Sequence, residues 1–359
     1  MVGAEAFPYA KVGGLGDVLG ALPKALAAEG ADVTLILPKY RQVSAAKHGL
    51  ERVPVPDGWS VGLNFVNHGF GLLRGTIPGS TATALFIEND HFFDRWSVYN
   101  AEGGRSFPDD AERWLFYQKG CMEVCKVLGL HPDVVHSHDS QGGLLGAYLR
   151  TLYRSESVFQ GTASAYTIHN IAYQGAYGPE ALRTAGFDEH WLDPGSPLEM
   201  HGTFNWMKAG ISFADVITTV SPTYAREIQA PEGGGGLDPV LRARAGDLHG
   251  VLNGIDLEVW SPQRDPRIPQ NYDVGDWAGK RANKKALLER VGLAGADLSW
   301  PLVTFVGRLV PQKGCDLLAS VLNAVLRQPV LFVGLGSGAN QYEDELRALQ
   351  ATYPDRARG

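Results

Sequence analysis

The segment from Lys11 to Val18 places a lysine and three glycines directly before a helical pattern of apolar residues. Gly13, Gly14 and Gly16 let the backbone approach a ligand closely, because they carry no side chain. The N–H groups and positive dipole end of a following helix favour an anion. The segment fits neither the dinucleotide-binding glycine pattern nor the P-loop pattern. We therefore expect it to bind the phosphate of a sugar nucleotide or a sugar phosphate.

A second basic segment runs from Gly307 to Gly314, between a buried strand and a helix, and it carries Arg308 and Lys313. Two cations on one glycine-flanked loop can bind a diphosphate and stabilise the charge that develops on a leaving group. The alternative is a solvated surface turn. With the first segment, this one favours a diphosphate site with one basic loop from each of two domains.

Polar residues follow several predicted strands, at the sheet edge where open α/β folds bind ligands. They are His136, His138, Asp139, His169, Asn170, Asn253 and Asp256. The alternate histidines 136 and 138 would also fit a metal site. A packed or capping histidine beside a ligand-facing Asp139 is the simpler interpretation, so we expect no metal. His169 is either structural or a site residue, and its neighbour Asn170 can hydrogen-bond a sugar hydroxyl.

Aromatic residues are frequent near these segments, and flat rings suit the apolar faces of sugars. They are Tyr9, Trp96, Tyr99, Tyr173, Tyr177, Trp191 and Trp206. Most aromatic residues belong to the core, so we expect only two or three of these to contact a glycan. Tyr99 and Tyr173 are the candidates.

The elements that must position these residues are short β-branched runs alternating with helical patterns. The predicted strands of the first part are 33–37, 83–87, 134–137, 164–168 and 216–220. Strands buried on both faces have this composition. The pattern predicts an α/β fold with a largely parallel sheet wrapped by helices.

A proline-rich polar stretch, 260–269, predicts a boundary between domains 1–262 and 263–359. The second part shows strands at 302–306 and 330–333 with helices at 280–291, 315–326 and 342–353. A doubly wound domain usually has about five or six strands. Only residues 1–4 are available for the strand before the glycine turn. We therefore expect truncation at both ends, more severe at the C-terminus.

Composition narrows the class further. A chain of 359 residues with 44% hydrophobic residues has the size of two globular domains. Its net charge of −7 argues against a nucleic-acid partner and an anionic membrane. Cys121, Cys125 and Cys315 predict buried, reduced thiols. We find no apolar run of roughly 18 residues and expect a cytosolic protein, or one lacking its targeting segment.

Five segments of this chain resemble, in order, the bacterial glycogen synthases and the plant starch synthases. They are residues 4–18, 167–175, 219–225, 252–256 and 307–314. The resemblance implies a GT-B fold, with two Rossmann-like doubly wound domains facing a cleft and the C-terminal one incomplete here. It implies transfer of glucose from ADP-glucose to the non-reducing end of an α-1,4-glucan, with retention and without metal or cofactor. It implies that the protein is located in the cytoplasm of a bacterium, or in the plastid if the source is a plant or an alga.

The resemblance also implies a role for each matching residue. Asp139 and His169 would flank the reacting glucose, and Arg308 and Lys313 would bind the ADP diphosphate. The expected donor-binding residues are Lys11, Gly13, Gly14, Asp17, Asn170, Asn253 and Gly307. The N-terminal domain would hold the glucan acceptor and the C-terminal domain the nucleotide sugar.

Two departures from the family pattern matter. Ser140 and Gln141 replace the usual Trp and His after the aspartate. The C-terminal part that carries a pair of substrate-binding glutamates in the family is absent. We therefore expect this chain alone to be inactive or nearly so. A non-catalytic glucan-binding fragment and a related transferase using UDP-glucose remain alternatives.

Overall fold

The computed structural model describes residues 1–101 and 105–359 of the chain. These residues divide into two compact units, Met1–Ile255 and Asp256–Gly359. The boundary expected from the sequence, between residues 262 and 263, lies just inside the second unit. The roles assigned to the two sides of that boundary remain predictions.

The first unit alternates strands and helices along most of its length. Its strands are β1 (Thr34–Pro38), β2 (Glu51–Val53), β3 (Ser60–Leu63), β4 (Val66–Gly69), β5 (Gly71–Thr76), β6 (Thr83–Glu88), β7 (Val134–His138), β8 (Ala163–Ile168), β9 (Ala176–Tyr177), β10 (Glu199–Met200), β11 (Thr203–Asn205), β12 (Val216–Thr219) and β13 (Leu248–Gly250). Its helices are α1 (Gly14–Ala28), α2 (Ala45–His48), α3 (Asp90–Phe93), α4 (Asp110–Leu128), α5 (Leu145–Arg150), α6 (Pro179–Ala185), α7 (Trp206–Phe213), α8 (Pro222–Glu227) and α9 (Asp238–Ala243). Each predicted strand of this unit lies within one residue of an observed one.

The main sheet has two halves that meet at the N-terminal residues. One half has the order β13-β12-β8-β7 and the other the order β1-β6-β5-β2. Val2 pairs in parallel with Ile36 of β1 and with Ser137 of β7. Its N–H donates to the carbonyl of His136 at 2.9 Å. Val2 therefore lies between β1 and β7, in the segment where the sequence predicts a strand before the glycine turn.

The sequence analysis missed the antiparallel part of this unit. Strand β5 pairs antiparallel with β6 and with β2, and β3 and β4 form a hairpin turning at Asn64 and Phe65. These two turn residues have positive φ values of 48° and 62°. β4 is largely solvent-exposed, and glycines interrupt β3 and β5. The apolar pattern that reveals a buried strand is therefore absent.

Helix α4 forms the centre of the core of this unit. Trp114, Phe116 and Tyr117 are at most 1% exposed. The Tyr117 hydroxyl lies 2.7 Å from the carbonyl oxygens of both Gly3 and Ile36, which links α4 to the middle of the sheet. Cys121 and Cys125 on this helix are buried and free. Burial raises the pKa of Cys125 to about 11, so its thiol is protonated and unreactive at neutral pH.

The second unit is a smaller parallel α/β layer. It contains α10 (Ala278–Arg290), β14 (Leu302–Val306), α11 (Cys315–Val325), β15 (Leu331–Leu335), α12 (Asn340–Thr352) and β16 (Ala357–Arg358). The three strands are parallel in the order β14-β15-β16. The sequence predicts the two strand–helix pairs but not β16, which has only two residues. Across the described parts of both units, no helix combines the length and apolarity needed to cross a membrane.

Candidate active site

Asp139 and His169 follow the neighbouring parallel strands β7 and β8 at their carboxyl ends. The Asp139 carboxylate accepts hydrogen bonds from the backbone N–H groups of His169 at 2.8 Å and Asn170 at 3.3 Å. The backbone of Asp139 has φ 51° and ψ −169°, a conformation that costs a non-glycine residue about 1–3 kcal/mol. The structure thus brings together three of the seven polar residues predicted at this edge and fixes the carboxylate against two peptide groups.

Three histidines form a contiguous group beside this carboxylate. His138 Nδ1 lies 2.9 Å from His169 Nε2, and His136 Nε2 lies 2.7 Å from the Thr167 hydroxyl. Burial lowers the pKa of both His136 and His169 to about 4, and it lowers that of His138 well below its usual value. All three rings are therefore neutral at pH 7. Among residues 1–101 and 105–359, no cluster of three or more His, Cys, Asp or Glu side chains suits a metal ion.

The pKa of Asp139 shifts in the opposite direction, upwards. Burial raises its pKa to about 7, although the hydrogen bonds from the His169 and Asn170 peptides act to lower it. At neutral pH, the folded chain therefore contains a mixture of protonated and ionised Asp139. A carboxyl group with a pKa near neutrality at a strand end is a common property of reactive sites.

These opposed shifts predict how stability depends on pH. Between about pH 4.5 and 6.5, the unfolded chain protonates its histidines while the folded chain keeps these three neutral, so stability rises with pH. Asp139 is protonated in the folded chain and ionised in the unfolded chain, so it opposes this rise. Asp139→Asn removes the opposing contribution. The slope of unfolding free energy should then steepen by up to about 1.4 kcal/mol per pH unit.

Urea unfolding of the native chain and of Asp139→Asn at pH 4.5, 5.5 and 6.5 measures this change. Equal slopes for the two proteins would contradict the raised pKa of Asp139. The exposed Asp133, at the amino end of the same strand, offers Asp133→Asn as the matched control.

The sequence analysis missed Glu5 as a residue of this region. Its carboxylate is only 2% exposed, and it accepts hydrogen bonds from the backbone N–H groups of Val12 and Gly13, the latter at 2.9 Å. It also accepts a hydrogen bond from the Tyr99 hydroxyl at 2.9 Å. The N–H groups of Val12 and Gly13, directly before the helix, therefore bind the Glu5 carboxylate within the fold. The signal that could have revealed Glu5 is its position between Ala4 and Ala6, which are fully buried.

The glycine turn leaves the start of α1 without a side-chain cap. The helix begins at Gly14, and no side chain caps its N-terminus. Lys11 Nζ forms an ion pair with Asp17 at 2.6 Å on the protein surface. Such an exposed ion pair contributes only about 0–1 kcal/mol to stability.

The second basic loop lies in the second unit, between β14 and α11. Gly307 donates its N–H to the Leu335 carbonyl at 3.0 Å, which ties the loop to β15. Arg308 and Lys313 are both exposed, and Lys313 ends a short 3₁₀ turn before Gly314. Gly314 has φ 75°, a conformation that favours glycine. This placement agrees with the predicted loop between a strand and a helix, and diphosphate binding by Arg308 and Lys313 stays a prediction.

Most of the aromatic residues serve the core. Tyr9 and Trp206 are buried, and Tyr177 donates its hydroxyl to Asp110. The hydroxyl of Tyr99 is held by Glu5, so only its ring could contact a glycan. Trp96 and Tyr173 are more than half exposed. Trp191 packs on Phe187, and the predicted donor residue Asn253 lies exposed after β13.

Comparisons with known proteins identify the family of this chain. The starch synthase catalytic domain family matches residues 1–243. Glycogen synthases from Thermotoga maritima and Pseudothermotoga lettingae are 42% and 40% identical to the chain, over 99% of its length and 72% of theirs. The catalytic domain of starch synthase IV from Arabidopsis thaliana, solved bound to ADP and acarbose, superposes with a TM-score of 0.90 at 32% identity. That match covers 99% of this chain and 72% of the plant chain.

The fold and these matches define the class of protein as a GT-B glycosyltransferase. The chain belongs to the starch synthase catalytic domain family, together with the bacterial glycogen synthases. It is a glucosyltransferase of glycogen or starch synthesis. The fold class, family and enzyme class predicted from its five segments are confirmed.

Proposed function

We propose that this protein transfers glucose from ADP-glucose to the non-reducing end of an α-1,4-glucan, with retention of configuration. The observation that carries the proposal is the Asp139 carboxylate, fixed by the His169 and Asn170 peptides at the carboxyl edge of the sheet. The relatives' name, glycogen synthase, and the ADP and acarbose bound to the plant enzyme support the choice of donor and acceptor.

Each of two basic loops is proposed to bind phosphate. Lys11 and the turn of Gly13 and Gly14 provide one, with Asp17 releasing Lys11 when the phosphate arrives. Arg308 and Lys313 provide the other, with Gly307 letting the backbone approach. Cations positioned on the diphosphate stabilise the negative charge that forms as the glucosyl bond breaks. Residues 1–262 are proposed to bind the acceptor and residues 263–359 the nucleotide sugar.

Gly14 and Gly16 test the donor turn, because glycine serves different purposes at the two positions. A Cβ on Gly14 would meet no atom within 4 Å, whereas one on Gly16 would lie 2.9 Å from Glu5 Oε2. Gly14→Ala should therefore keep its unfolding free energy within about 0.5 kcal/mol of the native value while raising the ADP-glucose KM about tenfold, because the methyl group faces the ligand. Gly16→Ala should lose about 1–3 kcal/mol of stability. An unchanged KM in Gly14→Ala would remove this turn from the donor site.

The acceptor is proposed to stack on exposed rings near the site. Tyr173, four residues after His169, is the first candidate, and the ring of Tyr99 is the second. Asn170 and Asn253 can each hydrogen-bond a sugar hydroxyl. With its three cysteines free, the protein suits a reducing compartment, and we propose the cytoplasm for a bacterial source.

The test is incorporation of labelled glucose from ADP-glucose, and separately from UDP-glucose, into maltooligosaccharides. It should be run on this chain and on a chimaera that adds the portion of the Thermotoga maritima glycogen synthase that the chain does not match. We expect transfer with ADP-glucose preferred, at least in the chimaera. Retained glucan binding without transfer in either protein would instead support a non-catalytic glucan-binding role.

A further inference from the structure

The proposed function does not explain the role of the His138 side chain. It is completely buried on β7, directly before Asp139. Its ring packs on that of His136, with centroids 4.2 Å apart, and on that of His169, with centroids 5.2 Å apart. Thr167 holds the His136 ring through a 2.7 Å hydrogen bond. These contacts fix the plane of the His138 imidazole.

The two nitrogens of His138 have very different surroundings. Nδ1 lies 2.9 Å from Nε2 of His169. Nε2 is buried and has no hydrogen-bond partner within residues 1–101 and 105–359. Because both rings are neutral, one must donate and the other accept in the bond between them.

The unpartnered atom decides which ring donates. If His169 donated from Nε2, the proton of His138 would sit on its own Nε2, as a buried N–H group without an acceptor. Orphaned buried N–H groups are rarer than under-satisfied acceptors. If His138 donates from Nδ1, only a lone pair is left unsatisfied. The surroundings therefore favour His138 as the donor.

We propose that His138 is a positioning residue that fixes His169 as the tautomer protonated on Nδ1. His169 Nε2 then serves as the acceptor for His138, and Nδ1–H remains as a donor for a ligand oxygen at this edge of the sheet. His169 is partly exposed, as this requires. The proposal rests on the proposed function, because it gives His169 the polarity to bind a hydroxyl or phosphate oxygen of the substrates.

Nuclear magnetic resonance of the chain with ¹⁵N-labelled histidine side chains tests the tautomer directly. His169→Asn assigns the signals. The expected result is a protonated, pyrrole-type Nδ1 and a bare, pyridine-type Nε2 for His169. A protonated Nε2 in the native chain would overturn the proposal, whether or not the protein transfers glucose.

Variants of His138 test the role in transfer. His138→Leu removes the donor, so the fixed tautomer should be lost and kcat should fall about 10- to 100-fold. His138→Asn keeps an amide donor at the same place, so it should retain the native pattern and a rate within about threefold of native. Asp133→Asn, at the exposed amino end of the same strand, is the control and should leave the His169 signals unchanged.

Each outcome decides a separate claim. An unchanged kcat in folded His138→Leu would overturn the positioning role, even with the expected tautomer. Rescue by His138→Asn supports the role even if His138→Leu does not fold. Absence of transfer in both the native chain and the chimaera would refute the proposed function, while the native spectrum would still decide the tautomer.

Discussion

Asp139→Asn should lower the rate of glucose transfer by about 10²- to 10⁴-fold, the range found when a charged group that acts at the reacting centre is removed. The asparagine oxygen can still accept from the His169 and Asn170 peptides, which the aspartate does at 2.8 and 3.3 Å. Asparagine also tolerates positive φ better than most residues. The geometry should therefore survive while the charge is lost.

The initial rate of transfer to maltooligosaccharides measures this effect, in the protein form that shows activity. Unfolding free energy at pH 7 should not fall, because the asparagine oxygen replaces the acceptor and the cost of ionising the buried Asp139 is removed. Asp133→Asn, at the opposite end of the strand, should keep its native rate. A rate for Asp139→Asn within threefold of native would remove Asp139 from the reacting centre.

Glu5→Ala should lower the free energy of unfolding by about 3–5 kcal/mol. Three donors lose their acceptor at once, namely the N–H groups of Val12 and Gly13 and the hydroxyl of Tyr99. Each buried donor left unsatisfied costs about 1–3 kcal/mol. Few single substitutions have effects this large.

Glu5→Gln removes the negative charge of this side chain but can keep its hydrogen bonds. Its amide oxygen can accept from both peptide groups, and its NH₂ group can donate to the Tyr99 oxygen. We expect a loss of only about 1 kcal/mol. Urea unfolding followed by tryptophan fluorescence measures stability, and amide exchange at Val12 and Gly13 reports the turn itself. Glu51→Ala, at an exposed position on β2, is the control. Equal losses in Glu5→Ala and Glu5→Gln would contradict the hydrogen-bond account.

The parallel strands were predictable because burial on both faces demands a continuous apolar run. Ile36 and Leu85 pair within such runs, and so do Tyr166 and Ile217. The hairpin turning at Asn64 and Phe65 was not predictable, because its exposed strand β4 needs no apolar pattern. The same physics explains why the edge strand β2, with its exposed glutamate and arginine, escaped notice.

Some residues of the candidate site were also predictable from the sequence, and others were not. Asp139 and His169 were found because strand ends in parallel sheets collect polar groups. Glu5 was not found, and His138 was named at this edge without its role, because both roles depend on partners far along the chain. Tyr99 reaches Glu5, and His169 reaches His138, only after the sheet has assembled. Sequence spacing contains no record of such contacts.

The bridging position of Val2 affects the order in which the sheet can form. Val2 leaves the ribosome long before Ser137, yet it must lie between β1 and β7 in the finished sheet. Pairings so distant in sequence are slow to form, since the loop must close before the contacts stabilise it. The segment that ends in the glycine turn therefore stays unanchored on one side until β7 has been made. We expect the donor turn to be among the last parts of the first unit to acquire its native shape.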